Sequence, residues 1–112
     1  MNIGEVSRAT GVPAKLIRYY EQIGLIRSAG RTNGNYRTFT DSDIADLSFI
    51  RRARALGFSV AEIEEILSLW RDETRPNSLV RSIADAYVTD LENRITQLEY
   101  MADTLRQLSQ RV

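Results

Sequence analysis

The 112-residue sequence contains no cysteine and no histidine. Without thiols there are no disulfide staples and no Cys nucleophile. Without imidazoles there is no zinc finger, no His-based triad and no His-built metal cage. No apolar run approaches the ~18 residues of a membrane span, and the polar, patterned segment after Met1 does not read as a signal peptide. A soluble cytoplasmic protein is the expectation. Close carboxylates are few: Glu64-Glu65, Asp72-Glu73 and Asp41-x-Asp43. None has a nucleophile, a base or metal-ligand spacing beside it, and no GxGxxG or Walker pattern occurs. No enzyme is expected.

What is present is enough for a folded core. Hydrophobic residues make up 43% of the chain, too many for a disordered one, and the length suits one domain, or a small module with an appendage. The net charge is zero, but it is unevenly spread. Residues 1–57 hold nine basic and five acidic side chains, and residues 58–112 hold six basic and ten acidic. A basic half joined to an acidic half suggests a polyanionic partner for the first. Scattered surface charge would look the same, so the pattern beneath has to decide.

Asn2, with Glu5 three residues on, has capping-box spacing for a first helix starting near Ile3. Ile3, Val6 and Ala9 give its apolar stripe, and Gly11 closes it. Pro13 suits the first turn of a second helix, Ala14 to Ile23, ending at Gly24. Leu16 or Ile17, Tyr20 and Ile23 sit on its apolar side. Two short helices joined by a Gly-containing turn make a helix-turn-helix. Residues 25–39 favour strand, and Asn33-Gly34 marks a turn, so a short β-hairpin, or wing, is expected with Arg31 at its tip. Thr40 and Asp43 cap a third helix with Ile44, Leu47, Ile50, Ala53 and Leu56 as its buried stripe. Ser59 and Glu62 cap a fourth, whose apolar face is Ile63, Ile66, Leu67 and Trp70. Residues around 71–77, with Pro76, read as a linker.

From Ser78 onward one helix runs to the end, about 50 Å long at ~1.5 Å per residue. Its apolar residues repeat by sevens. Ala84, Leu91, Leu98, Leu105 and Val112 form one line; Val88, Ile95 and Ala102 form another, offset by four. These are the d and a lines of a coiled coil. Such a rod is too long to cover its stripe on a small module, so a second copy is the expected partner. The heptads do not give its orientation. The architecture is therefore mainly α: a winged helix-turn-helix domain over residues 1–70, a linker over 71–77, and a coiled-coil dimerisation helix over 78–112.

On the second helix Lys15, Arg18 and Tyr19 lie away from the apolar side, the arrangement a recognition helix needs to enter a major groove. Arg bonds bidentately to guanine or phosphate, which Lys does not. Tyr20 is a candidate for the same surface through its hydroxyl, with core packing as the alternative. Arg31, Tyr36 and Arg37 would extend the footprint along the sugar-phosphate backbone; Tyr36 could equally pack under the hairpin. In Arg51-Arg52-x-Arg54, Arg54 is assigned to phosphate and Arg52 to pairing with Asp41, Asp43 or Asp46. Two functions stay open: a dimeric DNA-binding regulator, or a coiled-coil interaction module whose basic domain binds a protein.

Five ordered segments carry a resemblance. Met1-Asn-Ile-Gly-Glu-Val, Gly11-Val, Ile17-Arg-Tyr-Tyr-Glu21 with Gly24-Leu-Ile26, Asn35-Tyr-Arg-Thr-Phe-Thr40 and Ile50-Arg-Arg-Ala-Arg-Ala-Leu-Gly-Phe-Ser59 resemble MerR-family transcription regulators. Leu69-Trp-Arg-Asp72 and the linker length resemble the copper-responsive branch, the CueR and HmrR type. The resemblance implies a homodimer with an antiparallel dimerisation helix, bound to a pseudo-palindrome in a promoter of a metal (copper) resistance or stress operon. It implies control by DNA distortion, with RNA polymerase affected through the promoter. It places Lys15, Arg18, Tyr19, Tyr20, Arg31, Tyr36, Arg37 and Arg54 toward DNA, and Ala84, Val88, Leu91, Ile95, Leu98, Ala102 and Leu105 in the dimer seam. In the copper-responsive branch a Cys stands where this sequence has Val112. With no Cys, no cofactor is expected in this chain, and Cu(I) is a ligand only if cysteines belong to the protein outside these residues or were replaced at 112. Otherwise the protein senses something else, or nothing.

Overall fold

The structure is a computed structural model. It describes residues 1–27, 30, 31 and 37–112, without the side chains of Arg31 and Arg37. The chain divides into two compact units, Met1–Arg71 and Asp72–Val112.

In the first unit, α1 (Ile3–Thr10) opens with a complete capping box. The Asn2 side chain accepts from Glu5 N at 2.9 Å and Glu5 accepts from Asn2 N at 3.1 Å. Two orphan N–H groups are thereby satisfied. Gly11 ends the helix at φ 75°, a left-handed conformation that favours a residue without Cβ. Helix α2 (Ala14–Gln22) follows after a turn with Pro13 as N-cap, and Gly24 again takes positive φ, 77°. Strands β1 (Gly30–Arg31) and β2 (Arg37–Thr38) pair antiparallel, Gly30 opposite Thr38 and Arg31 opposite Arg37. The expected Asn33-Gly34 turn lies outside the described residues. Phe39 N donates to Met1 O at 2.7 Å and the Met1 amino group donates back to Phe39 O at 2.9 Å, fastening the exit of β2 to the start of α1.

Helix α3 (Asp41–Ala55) has its own capping box, Thr40 with Asp43. Helix α4 (Val60–Arg71) has the same reciprocal pair, Ser59 with Glu62, at 3.1 and 2.9 Å. α3 packs against α1 and α4, and α1 against α2. The shared core is Val6, Val12, Ile17, Tyr20, Leu25, Ile26, Phe39, Leu47, Ile50, Ala53, Ile63 and Leu67, with Ile3, Ile44, Phe58 and Val60 against its edge.

Several expected core residues lie elsewhere. On α1 the inward position after Val6 is Thr10, whose hydroxyl donates to Val6 O at 2.8 Å, while Ala9 is exposed. On α2 the buried residues are Ile17 and Tyr20, and Leu16 and Ile23 are exposed. Leu56 is 52% exposed because α3 has ended; Phe58, donating its N–H to Ala53 O, turns back and packs in its place. Trp70 is 79% exposed. The buried face of α4 ends at Leu67, and the next inward side chain is Arg71, which reaches polar partners instead.

The second unit is α5 (Asn77–Gln110), 34 residues with none buried. In the turn before it, Asp72 Oδ1 accepts from Thr74 N at 3.0 Å and from the Thr74 hydroxyl, and Arg75 Nε donates to Asp72 Oδ2 at 3.3 Å. These bonds hold the Asp72 carboxyl below its ordinary pKa, the Thr74 hydroxyl being the largest cause. No helix among the described residues is long and apolar enough to cross a membrane.

Candidate nucleic-acid interface

The amphipathic pattern of α2 sorts its residues onto opposite sides. At ~100° per residue, Lys15, Arg18, Tyr19 and Gln22 share one side, and all four are exposed. Ile17 and Tyr20, 0% and 6% exposed, occupy the other and join the core. One face anchors the helix, and the other presents two cations, a phenol and an amide to solvent.

Tyr20 is therefore a core residue, and its assignment to the DNA-facing surface is corrected. Its ring packs near that of Tyr19, centroids 5.9 Å apart and tilted by 50°, so the buried ring props the exposed one. Gln22 is the addition. Its spacing from Lys15 and Arg18, seven and four residues, is the signal that identifies it. The amide offers both a donor and an acceptor, the pair that adenine presents in a major groove.

The turn before α2 is crowded by a third cation. A Cβ built on Gly11 would lie 3.0 Å from Arg51 Nε and 3.2 Å from Arg51 Cζ. Arg51, on α3, thus lies across the helix-turn-helix turn; Gly11 is favoured by its φ, and a Cβ there would press on this exposed side chain. At the start of α2, Pro13 supplies no side-chain cap, and its carbonyl accepts from Leu16 N at 2.9 Å.

Arg54 Nη1 donates to Phe58 O at 2.7 Å, so part of this guanidinium closes the end of its own helix. Two acidic side chains of α3, Asp43 and Asp46, have other partners than Arg52. Asp43, 3% exposed, accepts from Arg27 Nε at 3.3 Å and from Thr40 N at 2.8 Å. Asp46 accepts from Arg71 at 2.8 Å. Of the three expected partners of Arg52 (Asp41, Asp43 and Asp46), Asp43 and Asp46 are thus engaged elsewhere. Arg27 also donates to the Thr40 hydroxyl at 3.0 Å, joining the segment before β1 to the start of α3. For Arg31 and Arg37 the structure gives the backbone pairing alone, and Tyr36 lies outside the described residues.

On α5 the expected seam lines stand open. Val88, Ile95, Leu98 and Leu105 are 48%, 53%, 67% and 57% exposed, and Ala84, Leu91 and Ala102 are half-buried. Among the described residues no group of three or more acidic, His or Cys side chains is placed to hold a metal ion. A soft heavy-metal ion needs thiolate or imidazole ligands, and the sequence has neither. The residues present do not fit one.

Comparison with known proteins agrees with this geometry. A family model described as "MerR HTH family regulatory protein" matches residues 1–70, and one described as "MerR, DNA binding" matches residues 44–108. The chain is 51% identical over 109 residues to "Heavy metal-dependent transcription regulator 2" of Rhizobium meliloti (strain 1021), covering 97% of this chain and 74% of that protein. It is 34% identical over 110 residues to "HTH-type transcriptional regulator CueR" of Salmonella typhimurium (strain LT2), covering 98% and 80%. Among solved structures, a MerR family transcriptional regulator from Listeria monocytogenes superposes with a TM-score of 0.80 at 32% identity, over 94% of this chain and 80% of that one.

Proposed function

The chain belongs to the MerR family of DNA-binding transcription regulators, which are not enzymes, and on that premise we propose that it works as a homodimer on a promoter pseudo-palindrome. The observation that carries the proposal is the division of α2 into a buried side and a side bearing Lys15, Arg18, Tyr19 and Gln22. That side enters the major groove, where Arg18 and Gln22 read base edges and Lys15 and Tyr19 reach phosphates. Arg31, Tyr36 and Arg37 follow the backbone beside it. Arg54 keeps its bond to Phe58 O and uses its remaining N–H groups on phosphate. The uncapped start of α2, with Arg51 beside it, suits a phosphate on the same strand.

Two copies pair through the a and d lines of α5, antiparallel, and the half-site separation follows from the dimer. The apolar stripe along α5, open to solvent in one chain, supports this. The two states of the regulator then differ in the DNA deformation each favours, and RNA polymerase reads that difference through the promoter. The R. meliloti relative is heavy metal-dependent by name. A metal-resistance or stress operon is the target class we propose here, in the cytoplasm. Copper enters only through ligands other than these 112 residues, because they supply no thiolate or imidazole.

The test is affinity for duplex DNA as a function of salt. With roughly 6–10 phosphate contacts, affinity should fall by about 10³–10⁵ between 50 and 200 mM salt. A flat response would favour the basic domain as a protein-binding surface instead.

A further inference from the structure

Gln22 is the last residue of α2 and is exposed. At ~100° per residue it points about 140° away from Ile17 and about 160° away from Tyr20, the two buried residues of the helix. It falls between two other outward side chains, Arg18 about 40° to one side and Tyr19 about 60° to the other. The Tyr19 flank is braced by the ring of Tyr20, 5.9 Å away. No hydrogen bond joins the side chain of Arg18 or Gln22 to another described residue. Arg27, Arg54 and Arg71, by contrast, each donate within the chain. The guanidinium of Arg18 and the amide of Gln22 therefore keep their bonding capacity for a ligand.

The amide's chemistry narrows that ligand. A phosphate oxygen only accepts, so it would use the donor half of Gln22 and leave the acceptor idle. The major-groove edge of adenine presents a donor at N6 beside an acceptor at N7, which matches both halves. Guanine presents two acceptors, O6 and N7, and suits the fork of Arg18. Reach permits both contacts at once. The nine residues of α2 span about 13 Å, close to the ~12 Å width of a major groove, so the last turn fits there with the first. Residues four apart are offset by about 6 Å along the helix axis, and successive base pairs by about 3.4 Å. The two bases then lie one or two base pairs apart.

We propose that Gln22 determines specificity for adenine: its amide binds N6 and N7 of an adenine lying one or two base pairs from a guanine bound by Arg18. This deepens, and rests on, the reading of the chain as a duplex-binding regulator.

The probe is a duplex that the wild-type full chain selects from a pool with a random core. Wild type should prefer adenine at one position of each half by roughly 5- to 150-fold, the scale of a bidentate base contact. Gln22→Ala should lose that preference and keep those at other positions. Gln22→Glu should move it to cytosine, whose N4 amino group donates to a carboxylate. Replacing the adenine by 7-deazaadenine removes N7 and keeps the base pair; it should weaken wild type and leave Gln22→Ala unchanged. The salt slope of Gln22→Ala should equal that of wild type, because an amide neutralises no phosphate. An unchanged base preference at every position in Gln22→Ala overturns the proposal. So does a loss that is uniform across sequences, the mark of a phosphate contact. If wild type selects no duplex, the DNA-binding reading itself fails and this one falls with it.

Discussion

The two units of the molecule satisfy their apolar residues in opposite ways. Among its described residues, the first encloses twelve hydrophobic ones in a core shared by its helices and the turns between them. The second is one helix with no buried residue and a line of Val, Ile and Leu side chains facing solvent. An isolated helix owes little of its stability to propensity and most to packing of its apolar face. The head therefore contains its own reason to fold, and for the tail the proposed dimer supplies one. In the proposed dimer the tail would gain a core from its partner, and the head would gain a second recognition helix on the same duplex.

Leu98→Asp should break the comparison hardest. It places a carboxylate in the seam of both copies, and an unpaired buried charge costs on the order of 3–5 kcal/mol. Sedimentation should report monomer at concentrations where wild type is dimeric, with helicity lost from the tail. Ile50→Ala attacks the other unit. Ile50 is 0% exposed, and the cavity should lower head stability by about 2–5 kcal/mol. The thermal midpoint should drop while the sedimenting mass stays that of the dimer. Arg18→Ala sharpens the contrast between packing and contact. It should weaken duplex binding by about 1–3 kcal/mol and reduce the salt slope if phosphate is its partner, with the melting curve unchanged.

The smallest effect concerns Asp72, in the turn before α5. Its pKa is lowered from 3.8 by hydrogen bonds from Thr74 and by Arg75. The folded value thus lies below the unfolded one. The stabilisation is complete above the ordinary carboxylate range and is lost as pH falls through the folded value. An NMR titration should place the Asp72 midpoint below 3.8 in wild type, and Thr74→Val should move it back upward.

Much of this fold was legible because it is locally encoded. Asn2 with Glu5, Thr40 with Asp43 and Ser59 with Glu62 sit three residues apart, and each pair bonds reciprocally. Gly11 and Gly24 mark helix ends because only a residue without Cβ takes their φ freely. The illegible features depend on partners remote in sequence. Periodicity alone does not choose between Leu16 and Ile17, and packing of α2 on α1 does. The stripe through Leu56 and Trp70 continues on paper beyond the point where the core stops. Arg71 finds Leu25 across 46 residues, a distance no local pattern spans. Within the interface, the outward side of α2 was readable from spacing, and Gln22 was readable by the same rule. Tyr20 was ambiguous because a tyrosine suits both a core and a phosphate contact.

In the proposed function, pairing of the tails lets the basic faces grip one duplex. Analytical ultracentrifugation of the full chain on its selected duplex tests it directly. The account predicts two wild-type chains per duplex, and little bound Leu98→Asp at the same protein concentration. One chain per duplex, or equal binding by Leu98→Asp, would contradict it.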